Sequence, residues 1–380
     1  MELLIKTLAG LESVLADELA ALGAENIEIL KRAVSCSGDQ RLLYRANLEL
    51  RTAIRVLVLQ RQFEAKHEGE WYDCLREINW TDYLQLQQTF AIDVVTQSAQ
   101  LSHSHYLALK AKDAIVDWFR ENHRGKRPSI DTKNPAIRLH LHLDSLNRAS
   151  FLLDSSGDGL HRRGYRTGGG MAPLNEVLAA GMLRLAEWTP ALPLVDFMCG
   201  SGTLLIEAGQ WAAGIAPGLR RRFAFQNWQD YDAQLWQELT TEARQRQRDI
   251  EVPIEGVDKH FRAFRVAEQN IAAAGLEGQI SVRRMSFERF TPSQPGRGMV
   301  IINPPYGLRV EEKADMPALY QAIGNKLKQD FSGYTAWILS GNPQALKHVG
   351  LRTSRKLTLM NGQLECKFQR YDLYQGSRKR

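Results

Sequence analysis

The stretch that most restricts how this chain can fold is residues 192–208. Leu192-Pro193-Leu194-Val195-Asp196-Phe197 is an apolar run of strand length. Met198-Cys199-Gly200-Ser201-Gly202 is a glycine-rich turn, and Thr203-Leu204-Leu205-Ile206-Glu207-Ala208 opens a helix. Strand, glycine turn and helix in that order predict α/β architecture. The glycines let the backbone and the free N–H groups of the helix N-terminus approach a ligand closely. The spacing lacks the third glycine of a dinucleotide fingerprint and the Lys-Ser/Thr of a phosphate loop. Asp196 at the strand end instead suits a ligand that carries an amino group. Pro253-Ile254-Glu255-Gly256-Val257-Asp258 is a second short strand ending in a carboxylate. Asp258 can cap the helix expected from Lys259 to Gly275, or take the two ribose hydroxyls of an adenosine-containing cofactor; its neighbours favour the cofactor.

Met299-Val300-Ile301-Ile302 is a third buried strand, and Asn303-Pro304-Pro305-Tyr306 follows it. This end suits methylation of an exocyclic amine on a planar base, a poor nucleophile because its lone pair is delocalised into the ring. The Asn303 side-chain oxygen and the Pro304 carbonyl can accept its two N–H bonds and favour a pyramidal nitrogen with a free lone pair. Pro304 and Pro305 hold the backbone in place, and Tyr306 offers a flat face for an extruded base.

Together these segments resemble the class I S-adenosylmethionine-dependent methyltransferases that modify exocyclic base nitrogens, over roughly residues 165–375. The resemblance implies a Rossmann-like seven-stranded sheet whose last strand is antiparallel. Arg355 to Met360, Asn361-Gly362 and Leu364 to Tyr374 supply the matching hairpin signal. It also implies S-adenosyl-L-methionine held by Asp196, Met198, Cys199, Gly200, Ser201, Gly202, Thr203 and Asp258, with Asn303 beside it. The family often places a carboxylate after the third strand to hold the adenine amine. Here Met285-Ser286-Phe287 stands in its place, so Ser286 and the Phe287 backbone are the candidates. Further upstream, Gly168-Gly169-Gly170 is expected to flex, and Pro173 to stand near the start of a helix from Glu176 to Glu187. In the family this stretch folds over the cofactor. Tyr165 stays open between cofactor lining and linker packing; Asn175 reads first as a helix cap and remains a cofactor candidate.

Net charge is +6 over 380 residues, with 44% hydrophobic residues. No apolar run reaches the ~18 residues that span a bilayer, and no cleavable leader pattern opens the chain, so a cytoplasmic enzyme is expected. Cys36, Cys74, Cys199 and Cys366 are scattered, and His103/His105 and His140/His142 lack a third ligand nearby, so no metal site is expected. The charge is clustered: Arg120, Arg124, Lys126, Arg127, Lys133 and Arg138, then Arg162, Arg163 and Arg166, then Arg220-Arg221-Arg222, then Arg378-Lys379-Arg380. Such clusters on this kind of chain point to a nucleic-acid substrate, with Arg124, Lys126, Arg127, Lys133, Arg162 and Arg163 as phosphate ligands.

The N-terminal part reads strand (Glu2 to Leu8), helix (Leu11 to Leu22), strand (Ile27 to Val34), then helix from Arg41. A helix from Tyr106 to Arg120 should bury Leu109, Ala111, Ile115, Val116 and Phe119. Ile137, Leu139, Leu141 and Leu143 line one face of a strand paired with Ala149 to Asp154. With Lys112 to Asp117, the basic loop, and Phe151 through Arg166, this resembles the THUMP domain, an RNA-binding module of RNA-modifying enzymes. The expected organisation is an α+β ferredoxin-like segment at 1–44, a THUMP unit at 45–156, a linker lining the cofactor site at 157–175 and a methyltransferase unit at 176–380. The whole resembles bacterial enzymes that methylate guanine N2 in 23S ribosomal RNA, in particular the first half of the fused K/L type. Guanine N2 of tRNA, adenine N6, or RNA binding through an inactive methyltransferase fold are the alternatives. Monomer and homodimer both stay open.

Overall fold

The structure is a computed structural model and describes residues 1–166, 174–307 and 315–374. Gly168–Gly170, Pro173 and the basic Arg378–Arg380 lie outside the described residues.

Among the described residues the chain builds two sheets. The first begins with Glu2–Lys6 (β1), Glu12–Ala21 (α1), Glu25–Leu30 (β2) and Ala33–Ser37 (β3). The sequence predicted one strand where β2 and β3 form a hairpin. Arg32, at φ 60°, turns the chain between them, and a non-glycine residue there carries no turn signal. Gln40–Glu49 (α2) starts at Asp39, whose carboxylate accepts the Leu42 N–H. Then come Arg55–Glu64 (β4), Glu68–Arg76 (α3), Thr89–Thr96 (β5), Ser104–Asn122 (α4), Ser129–Ile130 (β6), Ile137–Leu143 (β7) and Arg148–Asp154 (β8).

The strand order is β2-β3-β1-β4-β8-β7-β5-β6. β4 pairs with β1 on one side and β8 on the other, so the first segment and the THUMP-like segment share one sheet. The expected boundary between residues 44 and 45 falls inside α2. On α4, Leu107, Ala111, Ala114, Ile115, Val116 and Phe119 are buried, whereas Leu109, expected among them, is exposed. The alternating face of β7 is buried as read: Ile137, Leu139, Leu141 and Leu143 join one core with α3 and α4.

The second sheet contains Leu194–Asp196 (β9), Ile254–Asp258 (β10), Ser281–Arg284 (β11), Gly298–Ile302 (β12), Tyr334–Ser340 (β13), Arg355–Asn361 (β14) and Leu364–Asp372 (β15). Its order is β11-β10-β9-β12-β13-β15-β14, with β9 to β13 parallel and β15 antiparallel to β13. This is the seven-stranded Rossmann-like sheet with an antiparallel last strand. Gly362, at φ 64°, makes the expected β14–β15 turn. Glu176–Leu185 (α5), Thr203–Ala212 (α6), Phe261–Ala273 (α8) and Met316–Asp330 (α9) pack on this sheet, while Ala233–Gln245 (α7) belongs to a segment inserted between α6 and β10.

That inserted segment ties the two sheets together. Leu239 and Ala243 of α7, with Phe223 and Phe225, complete the core under β1 and α2. The Tyr44 ring stacks on Phe225 at 4.3 Å, and Arg41 pairs with Glu238 at 2.6 Å and Glu242 at 3.1 Å. A buried polar network adds to the joint. Arg51 donates to the carbonyls of Gln210 (3.2 Å) and Ile215 (2.6 Å), and Arg163 faces Glu207 of α6 at 3.5 Å. The helix α6 that follows the glycine turn is therefore tied to the N-terminal unit.

Candidate active site

β9 is the switch point of the second sheet, with β10 on one side and β12 on the other. In open parallel sheets ligands bind outside the carboxyl ends of the strands at such a point. Asp196 ends β9 and registers with Gly256, so Asp258 lies two residues further along the same edge. Val300 of β12 registers with Val195, and Asn303 follows the end of that strand. The strand-end Asp196, Asp258 and Asn303 predicted to share a site thus line one sheet edge.

The glycine turn is closed by the Gly202 N–H, which donates to the Cys199 carbonyl at 2.8 Å, and is held by side chains around it. Gly200 and Gly202 both have positive φ, 54° and 79°, and Gly202 caps α6. The Gly200 N–H donates to the Asp258 carboxylate at 3.1 Å, the Met198 N–H to Asp196 at 3.1 Å, and the Asn270 amide to the Ser201 carbonyl at 3.0 Å. Cys199 is buried, and its sulfur lies 3.3 Å from where a Cβ on Gly256 would stand, so the turn sits directly on β10. Ser201 and Thr203 hydroxyls meet at 3.2 Å.

Asp196 is 3% exposed and has no cationic partner among the described residues. Burial, with a smaller push from Asp258, raises its carboxyl to about 7. A buried acid without a counter-ion fits a ligand that brings a positive charge, as the ammonium of S-adenosylmethionine does. Asp258 also accepts the His260 N–H at 2.8 Å. This bond turns the chain ahead of α8 without capping it, and each Asp258 oxygen keeps a second lone pair for a ribose hydroxyl. Ser286 follows β11 beside Asp258, and the Met285 N–H donates to the Asp258 carbonyl at 3.2 Å. The Phe287 side chain is buried and stacks on Phe197 at 5.5 Å, so it belongs to the core.

The Asn303-Pro304-Pro305-Tyr306 loop is held from three sides. Tyr320 of α9 donates to the Pro305 carbonyl at 3.2 Å and meets Ser340 at 2.6 Å. Asn342 donates to the Tyr306 carbonyl at 3.0 Å. The Tyr306 hydroxyl donates to Asn303 Oδ1 and receives the Asn361 amide at 3.3 Å. The Tyr306 ring lies over Gly341, where an added Cβ would come within 2.9 Å of it. Burial holds the Tyr306 phenol well above its ordinary range, so it stays a neutral donor. Tyr320, Asn342 and Asn361 were not singled out from sequence. Asn361 was visible only as a turn residue, and Tyr320 only as one aromatic in a helix.

Two linker residues are buried. Tyr165 is 1% exposed and its hydroxyl bonds Glu207 at 3.2 Å, so it packs in the core. Arg163 is 3% exposed, with Glu207 and the Leu160 and Arg51 carbonyls as partners. Its guanidinium cannot reach a phosphate; it offsets the buried Glu207 charge. Asn175 caps α5, its side chain accepting from Val177 and Leu178 at 2.9 and 3.3 Å. It also borders a cavity of about 460 Å³ with His161, Arg166 and Glu176. Arg166 reaches Thr203 Oγ1 at 3.3 Å. Arg124, Lys126, Arg127, Lys133 and Arg162 are all exposed. Among the described residues no group of three or more His, Cys, Asp or Glu is arranged to hold a metal ion, and no helix is long and apolar enough to cross a membrane.

Comparison with known proteins agrees with this layout. The RlmL ferredoxin-like domain matches residues 2–57, the THUMP domain residues 65–146, and the RMKL-like methyltransferase domain residues 163–370. A Synechocystis protein provisionally described as an RNA methyltransferase is 40% identical over 96% of this chain and 95% of its own. The ribosomal RNA large subunit methyltransferase K/L of Syntrophotalea carbinolica is 40% identical over 96% of this chain and 52% of its own. The chain therefore spans about half the length of that K/L relative. The crystal structure of SMU.472, provisionally described as a methyltransferase and complexed with SAH, superposes with a TM-score of 0.89 at 27% identity, covering 99% of each chain.

Proposed function

Since the chain belongs to the RMKL-like family of S-adenosylmethionine-dependent methyltransferases, we propose that it methylates the exocyclic N2 of a guanine in large-subunit (23S) ribosomal RNA. The observation that carries this reading is Asn303-Pro304 at the switch-point edge, in one chain with a THUMP domain. S-adenosylmethionine supplies an activated methyl on a sulfonium. The residues of this chain do the rest. Asp196 takes the cofactor's ammonium and Asp258 its ribose, while Met198, Cys199, Gly200, Ser201, Gly202 and Thr203 form the wall against it. Ser286 and the Phe287 backbone face the adenine.

Asn303 Oδ1 and the Pro304 carbonyl accept the two N–H bonds of the target amine and pull its nitrogen toward pyramidal geometry. The Tyr306 hydroxyl donates to the same Asn303 oxygen, so the amine competes with it for that acceptor. Once displaced, the Tyr306 ring presents its face to the base. Arg124, Lys126, Arg127 and Lys133 on the THUMP loop, and Arg162 on the linker, contact RNA phosphates.

The test is methyl transfer from labelled S-adenosylmethionine to purified large-subunit rRNA, tRNA and double-stranded DNA in parallel. Label should enter the large-subunit rRNA. Label entering only tRNA or DNA contradicts the substrate assignment.

A further inference from the structure

The β14–β15 turn brings Asn361 to the catalytic loop. Its amide donates to the Tyr306 hydroxyl at 3.3 Å, and that hydroxyl donates to Asn303 Oδ1. The result is a short row: a side-chain acceptor at Asn303, a hydroxyl, and a side-chain donor at Asn361. Asn361 is half-buried, while Gly362 and Gln363 beside it are exposed. Two other polar side chains that hold this loop are committed elsewhere. The Asn342 amide N–H donates to the Tyr306 carbonyl, and its side-chain oxygen accepts the Ala345 N–H at 3.0 Å. The Tyr320 hydroxyl is shared between Pro305 and Ser340. Among the described residues, Asn361 is the side-chain amide donor at the far end of the row.

A guanine edge carries the N2 amine at one end and the O6 acceptor at the other. Adenine has its amine where guanine has O6 and presents no carbonyl. Acceptor and donor at the two ends of one row therefore complement guanine. We propose that Asn361 is a specificity residue whose amide donates to O6 of the guanine whose N2 amine is held by Asn303. This rests on the guanine-N2 reading above and adds to it the group that tells guanine from adenine. The base edge lies alongside the two side-chain ends, the Tyr306 hydroxyl gives up Asn303 Oδ1, and Asn361 exchanges its phenol partner for O6.

The experiment uses the full chain and Asn361→Asp, which keeps a turn-forming residue before Gly362 but turns the donor into an acceptor. The substrates are an RNA oligonucleotide spanning the guanosine that the wild type methylates and the same RNA with 2-aminopurine there, which keeps the amine and lacks both O6 and the N1–H, so that the comparison with the Asn361 variants isolates the O6 contact. Wild type should lose about 10²-fold in kcat/KM on the 2-aminopurine RNA. Asn361→Asp should lose about as much on the guanosine RNA and no more on the 2-aminopurine RNA, with cofactor affinity unchanged. Asn361→Ser, which shortens the donor out of reach, should behave the same way and covers the case in which Asn361→Asp fails to fold. Guanosine methylation at the wild-type rate by a folded variant overturns the proposal and leaves the guanine-N2 reading standing. A wild-type product other than N2-methylguanosine overturns that reading, and the Asn361 assignment with it.

Discussion

The Tyr306 hydroxyl donates its hydrogen bond to Asn303 Oδ1, the oxygen proposed to polarise the target amine. The two residues are therefore competitors as well as neighbours. Removing the hydroxyl in Tyr306→Phe frees the acceptor and keeps an aromatic face. Methyl transfer should stay within about tenfold of wild type, because one such bond is worth about 0.5–1.5 kcal/mol net. Tyr306→Ala should lose about 1–3 kcal/mol of stacking, read as a raised KM for RNA. Steady-state kinetics of both variants check this; equal damage in the two would assign the role to the hydroxyl and not the ring.

Asp196 gives a pH signature. Its buried carboxyl titrates near 7 against an ordinary value of 3.8. Between those values the folded chain holds a proton that the unfolded chain has released, so this group makes stability fall as pH rises through the window and leaves it flat above. Cofactor binding runs the other way. A bound ammonium favours the ionised acid, so affinity should rise with pH, by up to about tenfold per unit, and level off above about 7. Titration calorimetry between pH 5.5 and 8.5 reads it directly. A profile that keeps the same slope in Asp196→Asn would assign the proton to another group.

Asp258→Ala should weaken cofactor binding at least about tenfold, since hydrogen bonds to a charged group are worth about 1.5–3 kcal/mol each. It also removes the acceptor of the Gly200 and His260 N–H groups. Calorimetry alongside thermal unfolding separates the two effects: wild-type affinity in a folded variant would take Asp258 out of the ribose site.

Arg162 and Arg163 are adjacent in sequence and should behave oppositely. Arg163→Ala leaves Glu207 buried without its cation, and breaking a buried pair in this way costs about 3–5 kcal/mol. The melting temperature should drop clearly. Arg162→Ala should leave it unchanged and weaken RNA binding. Binding should also fall with salt, with a log–log slope that shrinks by about one for each phosphate contact removed from Arg124, Lys126, Arg127, Lys133 or Arg162. Filter binding across a salt series measures that slope, and an unaltered slope in a multiple alanine variant of the loop would remove the loop from the interface.

The strand-end placement was legible because it is local. Asp196, Asp258 and Asn303 each follow a short apolar run, and a parallel sheet places such ends on one edge. The β14–β15 hairpin was legible for the same reason, through Asn361-Gly362. What escaped depends on tertiary placement. Arg32 reverses the chain with a backbone that its side chain does not advertise. Nothing in a run of two arginines says that Arg162 faces water and Arg163 faces Glu207. Leu109 fits the apolar period of α4, yet the partner surface covers Leu107 instead. Asn361 met the sequence requirement of a turn so well that its second role, beside Tyr306, left no mark.

The most direct test of the central claim is nucleoside analysis by mass spectrometry of large-subunit rRNA after incubation with S-adenosylmethionine and either wild type or Asn303→Ala. Wild type should yield N2-methylguanosine. Asn303→Ala should bind the cofactor normally and lose about 10²–10³ in rate. N6-methyladenosine as the only product, or undiminished activity in Asn303→Ala, would contradict both the substrate and the mechanism.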